Sequence, residues 1–135
     1  PILAPNIGNF WKRWHMTLAG WCQAYVYMPT IGLTRNPYLA VYATFIAMGL
    51  WHAGSLNWVM WGLWHASGVA IFLSFSRLRR RRKWTFLDRR PWCWAGIPIT
   101  FVFVAGGFSF TAVHGQGAVA ALRVLAKMLF IEWPA

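Results

Sequence analysis

Between Asn36 and Ser76 the chain carries no Lys, Arg, Asp or Glu, a run of 41 residues. A domain that hydrates its own surface has roughly one charged residue in four, so a run of this length belongs in lipid. A hydrocarbon layer about 30 Å thick takes about 20 apolar residues per helix, and the run therefore fits two spans. The break falls at Ala53-Gly54-Ser55-Leu56-Asn57, where small and turn-forming residues cluster, leaving spans over 38–52 and 58–75. The first is short, as expected of a helix that tilts or is buried among others. A second uncharged stretch, Pro91 to Leu122, holds an apolar segment over 92–113 that reads as a third span. Its Gly96, Pro98, Gly106 and Gly107 are tolerated in a membrane helix when neighbouring groups satisfy the freed backbone.

Composition agrees and closes other routes. The chain is 59% hydrophobic, 19% aromatic and 11% charged, which excludes a disordered chain and a water-soluble enzyme. Thirteen Lys and Arg face two acids, and eight of the thirteen lie in the block 77–90 with Asp88. A nucleic-acid binder spreads such charge over a hydrated face, whereas here it is packed between two apolar runs. The block reads as a cytoplasmic loop that fixes topology and touches anionic headgroups. By the same rule Lys12, Arg13 and Arg35 fall on the cytoplasmic side. His15 is then expected near the cytoplasmic interface, and His52 near the opposite end of its span. Cys22 and Cys93, 71 positions apart, form no metal or disulfide pattern and read as apolar thiols.

Trp11, Trp14, Leu18, Trp21 and Tyr25 recur at three- and four-residue spacing. The spacing predicts one amphipathic interfacial helix over 10–28, capped by Asn9 and ended by Met28-Pro29, with Thr30–Pro37 as a loop. At the other end, 116–130 places Val119, Leu122, Leu125, Ala126 and Leu129 on one face of a short final helix. The expected fold class is an all-α integral membrane protein: about three transmembrane helices, an N-terminal amphipathic interfacial helix and a short C-terminal helix. Because it opens on Pro1, the chain reads as a piece of a longer polypeptide.

His15, His52, His65 and His114 are the side chains able to exchange protons near neutrality, and an ionisable group in a membrane segment is a functional candidate by default. No Gly-x-Ser-x-Gly elbow occurs. Two acids, one in the basic block and one near the end, complete no triad and form no carboxylate pair. His52 and His65 stand 13 apart in separate spans, which is not a metal-ligand spacing, although axial haem ligation by the two is open. What remains is a single imidazole acting as general base, a role worth about 10²- to 10⁴-fold in rate. His65 lies on the face Trp58, Trp61, His65, Gly68, Phe72, which reads as packing, with Gly62 and Ala66 allowing close helix approach. His114 reads as a loop residue with no special role.

Asn9-Phe10-Trp11-Lys12-Arg13-Trp14-His15-Met16-Thr17-Leu18, Tyr25-Val26-Tyr27-Met28-Pro29, Gly49-Leu50-Trp51-His52 and Trp61-Gly62-Leu63-Trp64-His65 together resemble the signature region of the membrane-bound O-acyltransferases. The match is to the bacterial branch of alginate O-acetylases and teichoic acid D-alanyl transferases. It is strong over 6–75 and weaker over 92–130. It implies a larger fold of ten or more membrane segments, of which this would be the C-terminal part, in a multi-pass protein of the bacterial inner membrane. It implies His52 as the base that takes a proton from an acceptor hydroxyl, and His15 as the residue that orients or polarises a reactant. The acyl donor would be acyl-CoA or another acyl thioester, with no bound cofactor or metal. The acceptor would be an extracytoplasmic polysaccharide, the acyl group acetyl, and the partners membrane lipid and cell-envelope proteins, with no nucleic acid.

The chain departs from the family pattern at three places: Gln23-Ala24 stand where relatives usually carry Arg-Asp, Ala53 where Gly is common, and Thr111 where Arg is frequent. These departures leave open a catalytically inactive member acting as a membrane scaffold or lipid-binding subunit. Separately from them, a transport or haem-carrying subunit is a third class.

Overall fold

The computed structural model describes residues 2–85, 90–113 and 115–128. The acids Asp88 and Glu132, His114 and positions 129–130, where the final helix is expected to end, lie outside them. The described residues are helical, with no strand among them. The elements are α1 (Ile7–Trp11), α2 (Met16–Cys22), a π-helical turn (Gln23–Tyr27), α3 (Met28–Thr34), α4 (Pro37–His52), α5 (Leu56–Arg82), α6 (Arg90–Ala112) and α7 (Ala118–Met128).

The hairpin of α4 and α5 is the spine. Asn36 caps α4 by accepting from the amides of Tyr38 and Leu39, with Pro37 at the first helical position, where no amide is needed. Gly49 abuts the carbonyl of Trp58, and Gly62 that of Phe45. A methyl group at either glycine would overlap backbone, so the two glycines set how closely the helices approach. Gly62 and Ala66 thus act as the sequence predicted. At 16 residues α4 is about 24 Å long, short of a full hydrocarbon layer. Among the described residues, Leu56–Arg82 and Pro91–Ala112 are long and apolar enough to cross a membrane.

Against that spine four expectations need correction. The segment over 10–28 is not one helix. Asn6, rather than Asn9, caps α1 by accepting from the Asn9 amide at 2.8 Å, and the chain breaks after Trp11. His15 then takes a left-handed backbone (φ 46°, ψ 46°), a conformation that ends one helix and re-aims the next. Nor does Met28-Pro29 end anything, for the helical run from Met16 continues to Thr34 and stops at left-handed Arg35. Proline removes one amide and crowds the carbonyl four residues back. The turn just before Pro29 is widened, with the Met28 amide reaching Gln23 O, and this π turn absorbs the proline where a regular helix would kink. The supposed face also splits: Leu18 and Cys22 are buried, while Trp21 and Tyr25 are exposed and pack on each other.

The basic block is the third correction. Arg77–Arg82 extend α5 by more than a turn rather than forming a loop, and α5 ends at left-handed Lys83.

The fourth is topological. His15 sits beside Trp51 and His52, and Tyr27 packs near Val41 and Phe45, so the run from Met16 to Thr34 lies antiparallel along α4. It is about 28 Å long and carries no charge. Ahead of it, α1 inserts between α5 and α6, with Ile7 and Phe10 buried against Val69, Phe72, Phe103 and Val104. The bundle therefore has a strongly basic end (Arg35, Arg77–Arg82) and a histidine end (His15, His52), and Lys12 and Arg13, expected beside Arg35, instead lie in the turn that leads into His15. His15 and His52 share one end instead of facing opposite sides. A charge count along the sequence cannot detect a short helix that enters the protein and turns back within it.

α6 runs back along α5. Asn57, buried at the start of α5, donates through Nδ2 to Phe110 O at 3.1 Å, and Trp64 Nε1 donates to Phe103 O at 2.9 Å. α7 closes the histidine end, where Ala121 joins Leu18, Cys22, Met48, Trp61 and Phe110 in one apolar cluster. Ala121 takes the inner position predicted for Val119, which is exposed.

Candidate active site

His52 is the last residue of α4. Its ring stacks on Trp58, with centroids 4.5 Å apart and planes at 15°, while Trp51 and Trp61 meet it edge-on at 4.9 and 6.0 Å. Face-to-face stacking holds an imidazole without using its nitrogens, since both lie in the ring plane and point past the partner. The ring is half-buried, fixed in orientation and still approachable at its edge.

His15 completes the group from the opposite segment. It precedes α2 but does not cap it with its side chain; its carbonyl accepts from the Ala19 amide at 2.9 Å. The imidazole is thereby left to project from the turn. Its centroid lies 5.9 Å from that of His52 and 6.4 Å from Trp51. Two residues 37 positions apart in sequence thus become neighbouring rings. Trp14, beside His15, stacks on Phe10 and meets Phe108 edge-on, which ties the turn to α6.

His65 is placed differently. It is 1% exposed, within α5, and packed by Trp61 (4.8 Å), Trp11 (5.2 Å) and Phe103 (5.9 Å). Neither of its ring nitrogens has a hydrogen-bond partner, nor do the indole nitrogens of Trp11 and Trp61. Near-perpendicular contacts, 88° for Trp11 with His65 and 79° for Trp11 with Trp61, offer aromatic faces to these N–H edges, a weak substitute for a hydrogen bond. Gly107 provides the room, because a methyl group there would meet His65 Nε2. The packing role expected of His65 is the one it has. Trp61 stands between His52 and His65, in contact with both rings, and fills the space a porphyrin held by the two would need.

One departure from the family pattern, Ala53, directly follows His52, and the others lie elsewhere in the chain. Gln23 and Ala24 lie exposed on the π turn. Ala53 has φ −165°, extended backbone that any residue adopts, so glycine is not required there. Thr111 is half-buried and returns its hydroxyl to Phe108 O at 3.0 Å. Trp58, the stacking partner of His52, was legible only as a member of an apolar stripe, and Asn57 only as a turn former.

Comparison with known proteins gives a consistent answer. Residues 3–113 match the pattern of MBOAT, the membrane-bound O-acyltransferase family. The chain is 30% identical over 96% of its length to a peptidoglycan O-acetyltransferase of Helicobacter pylori, covering 24% of that protein. It is 31% identical over 80% of its length to a teichoic acid D-alanyltransferase of Bacillus subtilis, covering 30%. It is 36% identical over 98% of its length to a probable alginate O-acetylase of Pseudomonas putida, covering 26%. The chain thus spans about a quarter of the length of these relatives. No solved structure matches it at a significant level.

Proposed function

This chain belongs to the membrane-bound O-acyltransferase family, and on that premise we propose that it forms the histidine-bearing part of an enzyme that acylates an extracytoplasmic polysaccharide. The pairing of His15 with His52, centroids 5.9 Å apart, carries the reading. His52 takes the proton of an acceptor hydroxyl as its oxygen attacks the carbonyl carbon of an acyl thioester. The new C–O bond forms, the C–S bond breaks, and the leaving thiolate collects the proton from the imidazolium. His15 holds the hydroxyl or the carbonyl in line. Direct transfer of this kind needs a base and positioning, with no nucleophile on the protein.

The donor class is acyl-CoA or another acyl thioester, and the acyl group acetyl; two of the three relatives above are named for O-acetylation. Basic residues keep to the cytoplasmic side, which puts Arg77–Arg82 in the cytoplasmic leaflet of the bacterial inner membrane and the histidine pair toward the opposite one. The acceptor is then reached from outside, and the thioester from the cytoplasm through the complete, multi-pass protein. Cell-envelope proteins would present the acceptor. An inactive scaffold gains no support from these departures: Gln23 and Ala24 lie about two turns along the helical run from His15, Thr111 turns its hydroxyl back on Phe108 O, and Ala53, though bonded to His52, has an extended backbone that any residue adopts.

The test is transfer of a labelled acyl group to envelope polysaccharide in membranes holding the complete polypeptide. His15→Ala is expected to cost about tenfold or more, with His52→Ala costing about 10²- to 10⁴-fold. Unchanged transfer in His52→Ala would remove the base from the scheme.

A further inference from the structure

Away from the histidine pair, a groove of about 770 Å³ runs along the outer side of α4 and α5, walled by Tyr38, Tyr42, Ser67 and Ser74 on its polar side. That polar wall is satisfied from within. Ser74 Oγ donates to Ala70 O at 2.9 Å, and Ser67 Oγ to Leu63 O at 2.8 Å. With each serine proton so committed, Tyr38 and Tyr42 are the donors in their 2.9 Å contacts with Ser74 and Ser67. No hydroxyl proton in the groove is left seeking a partner, which is the condition for a polar wall to face hydrocarbon. The opposite wall is an apolar strip of Ile71, Phe75 and Leu78, exposed by 68%, 44% and 44%.

The mouth of the groove is positive. Arg77 Nη1 donates to Tyr38 Oη at 3.2 Å, and its guanidinium lies over the Tyr38 ring at 5.1 Å. One of five N–H groups is thereby used to hold the fork in place. Arg81 follows one turn later on the same helix, and Arg35 ends α3 three residues before Tyr38. Against these the chain has two carboxylates, Asp88 and Glu132. A pre-oriented guanidinium with a second arginine one helical turn on suits a phosphate.

We propose that this groove binds one anionic phospholipid, its phosphate on Arg77 and Arg81 and one acyl chain along Ile71, Phe75 and Leu78. Both halves of the ligand find a counterpart. A free phosphate would occupy the mouth and leave the apolar strip uncovered, and an apolar protein segment would leave the guanidinium groups without an anion. The site lies at the basic end and stands independently of the acyl-transfer reading.

Native mass spectrometry of the complete polypeptide, in detergent micelles doped with phosphatidylglycerol or phosphatidylcholine, tests it. One phosphatidylglycerol should remain bound, with little phosphatidylcholine. A basic residue near the surface contributes about fivefold in affinity for anionic lipid, so Arg77→Gln with Arg81→Gln should weaken retention about 25-fold. Ala70→Trp, which fills the groove, should abolish it, and Arg123→Gln should change nothing. Equal retention of the two lipids, retention unaffected by the double arginine change, displacement by inorganic phosphate alone, or a groove covered by another segment of the complete polypeptide would each overturn the proposal.

Discussion

Two Trp-His dipeptides, Trp51-His52 and Trp64-His65, stand 13 residues apart and arrive in opposite circumstances. His52 ends a helix, half-buried, stacked on one indole and facing a second imidazole. His65 sits within a helix, 1% exposed, with no partner for either nitrogen. On the proposed reading the first exchanges a proton with a ligand. The second behaves as an aromatic plug that fills the junction of α1, α5 and α6. A shared motif thus says little about shared chemistry until position along the helix is known.

The comparison can be broken most forcefully at His52. In the complete polypeptide, His52→Ala should lower acyl transfer by about 10²- to 10⁴-fold while membrane abundance, read by immunoblot, stays near wild type. His65→Ala should do the reverse. Removing a buried ring leaves a cavity costing about 2 kcal/mol or more, so abundance and thermal stability in detergent fall, and transfer per molecule stays within about threefold of wild type. Full transfer with His52→Ala, or normal stability with His65→Ala, would reverse the assignments.

Smaller effects sharpen the same contrast. Gly107→Ala pushes a methyl group against His65 Nε2 and should destabilise by about 1–3 kcal/mol, seen as a lower melting temperature. The loss should shrink when His65 is also replaced by Ala. Asn57→Leu strips the hydrogen bond to Phe110 O and should cost about 1–2 kcal/mol. Because Asn57 adjoins Trp58, transfer should also fall severalfold. An Asn57→Leu protein with normal stability would show that the link between α5 and α6 carries little.

Much of this was legible in the sequence, for identifiable reasons. The charge-free run and its break at 53–57 follow from hydrocarbon thickness and turn chemistry, and α4, α5 and α6 lie where they were expected. His52 stood out because its surroundings match a family motif. The N-terminal third was misread. Periodicity at Trp11, Trp14, Leu18, Trp21 and Tyr25 holds whether or not the helix breaks, and nothing local announces that His15 will adopt a left-handed backbone. Pro29 looked like a terminator because the compensating π turn depends on the hydrogen bond from Met28 to Gln23, which composition does not reveal. The pairing of His15 with His52 is a tertiary fact. It follows from α2 lying antiparallel to α4, whereas the charge rule applied along the chain puts the two on opposite sides of the membrane.

The most direct measurement gives both histidines the same replacement. His52→Phe and His65→Phe each keep an aromatic ring and remove both nitrogens, so packing is retained and proton transfer is lost. At matched membrane abundance, with a labelled thioester donor and polysaccharide acceptor, His52→Phe should fall by about 10²- to 10⁴-fold. His65→Phe should stay within about threefold of wild type, because replacing unpaired buried polar atoms by apolar ones is nearly neutral. Equal loss in the two variants, or transfer surviving in His52→Phe, would contradict the division between a reacting and a packing histidine.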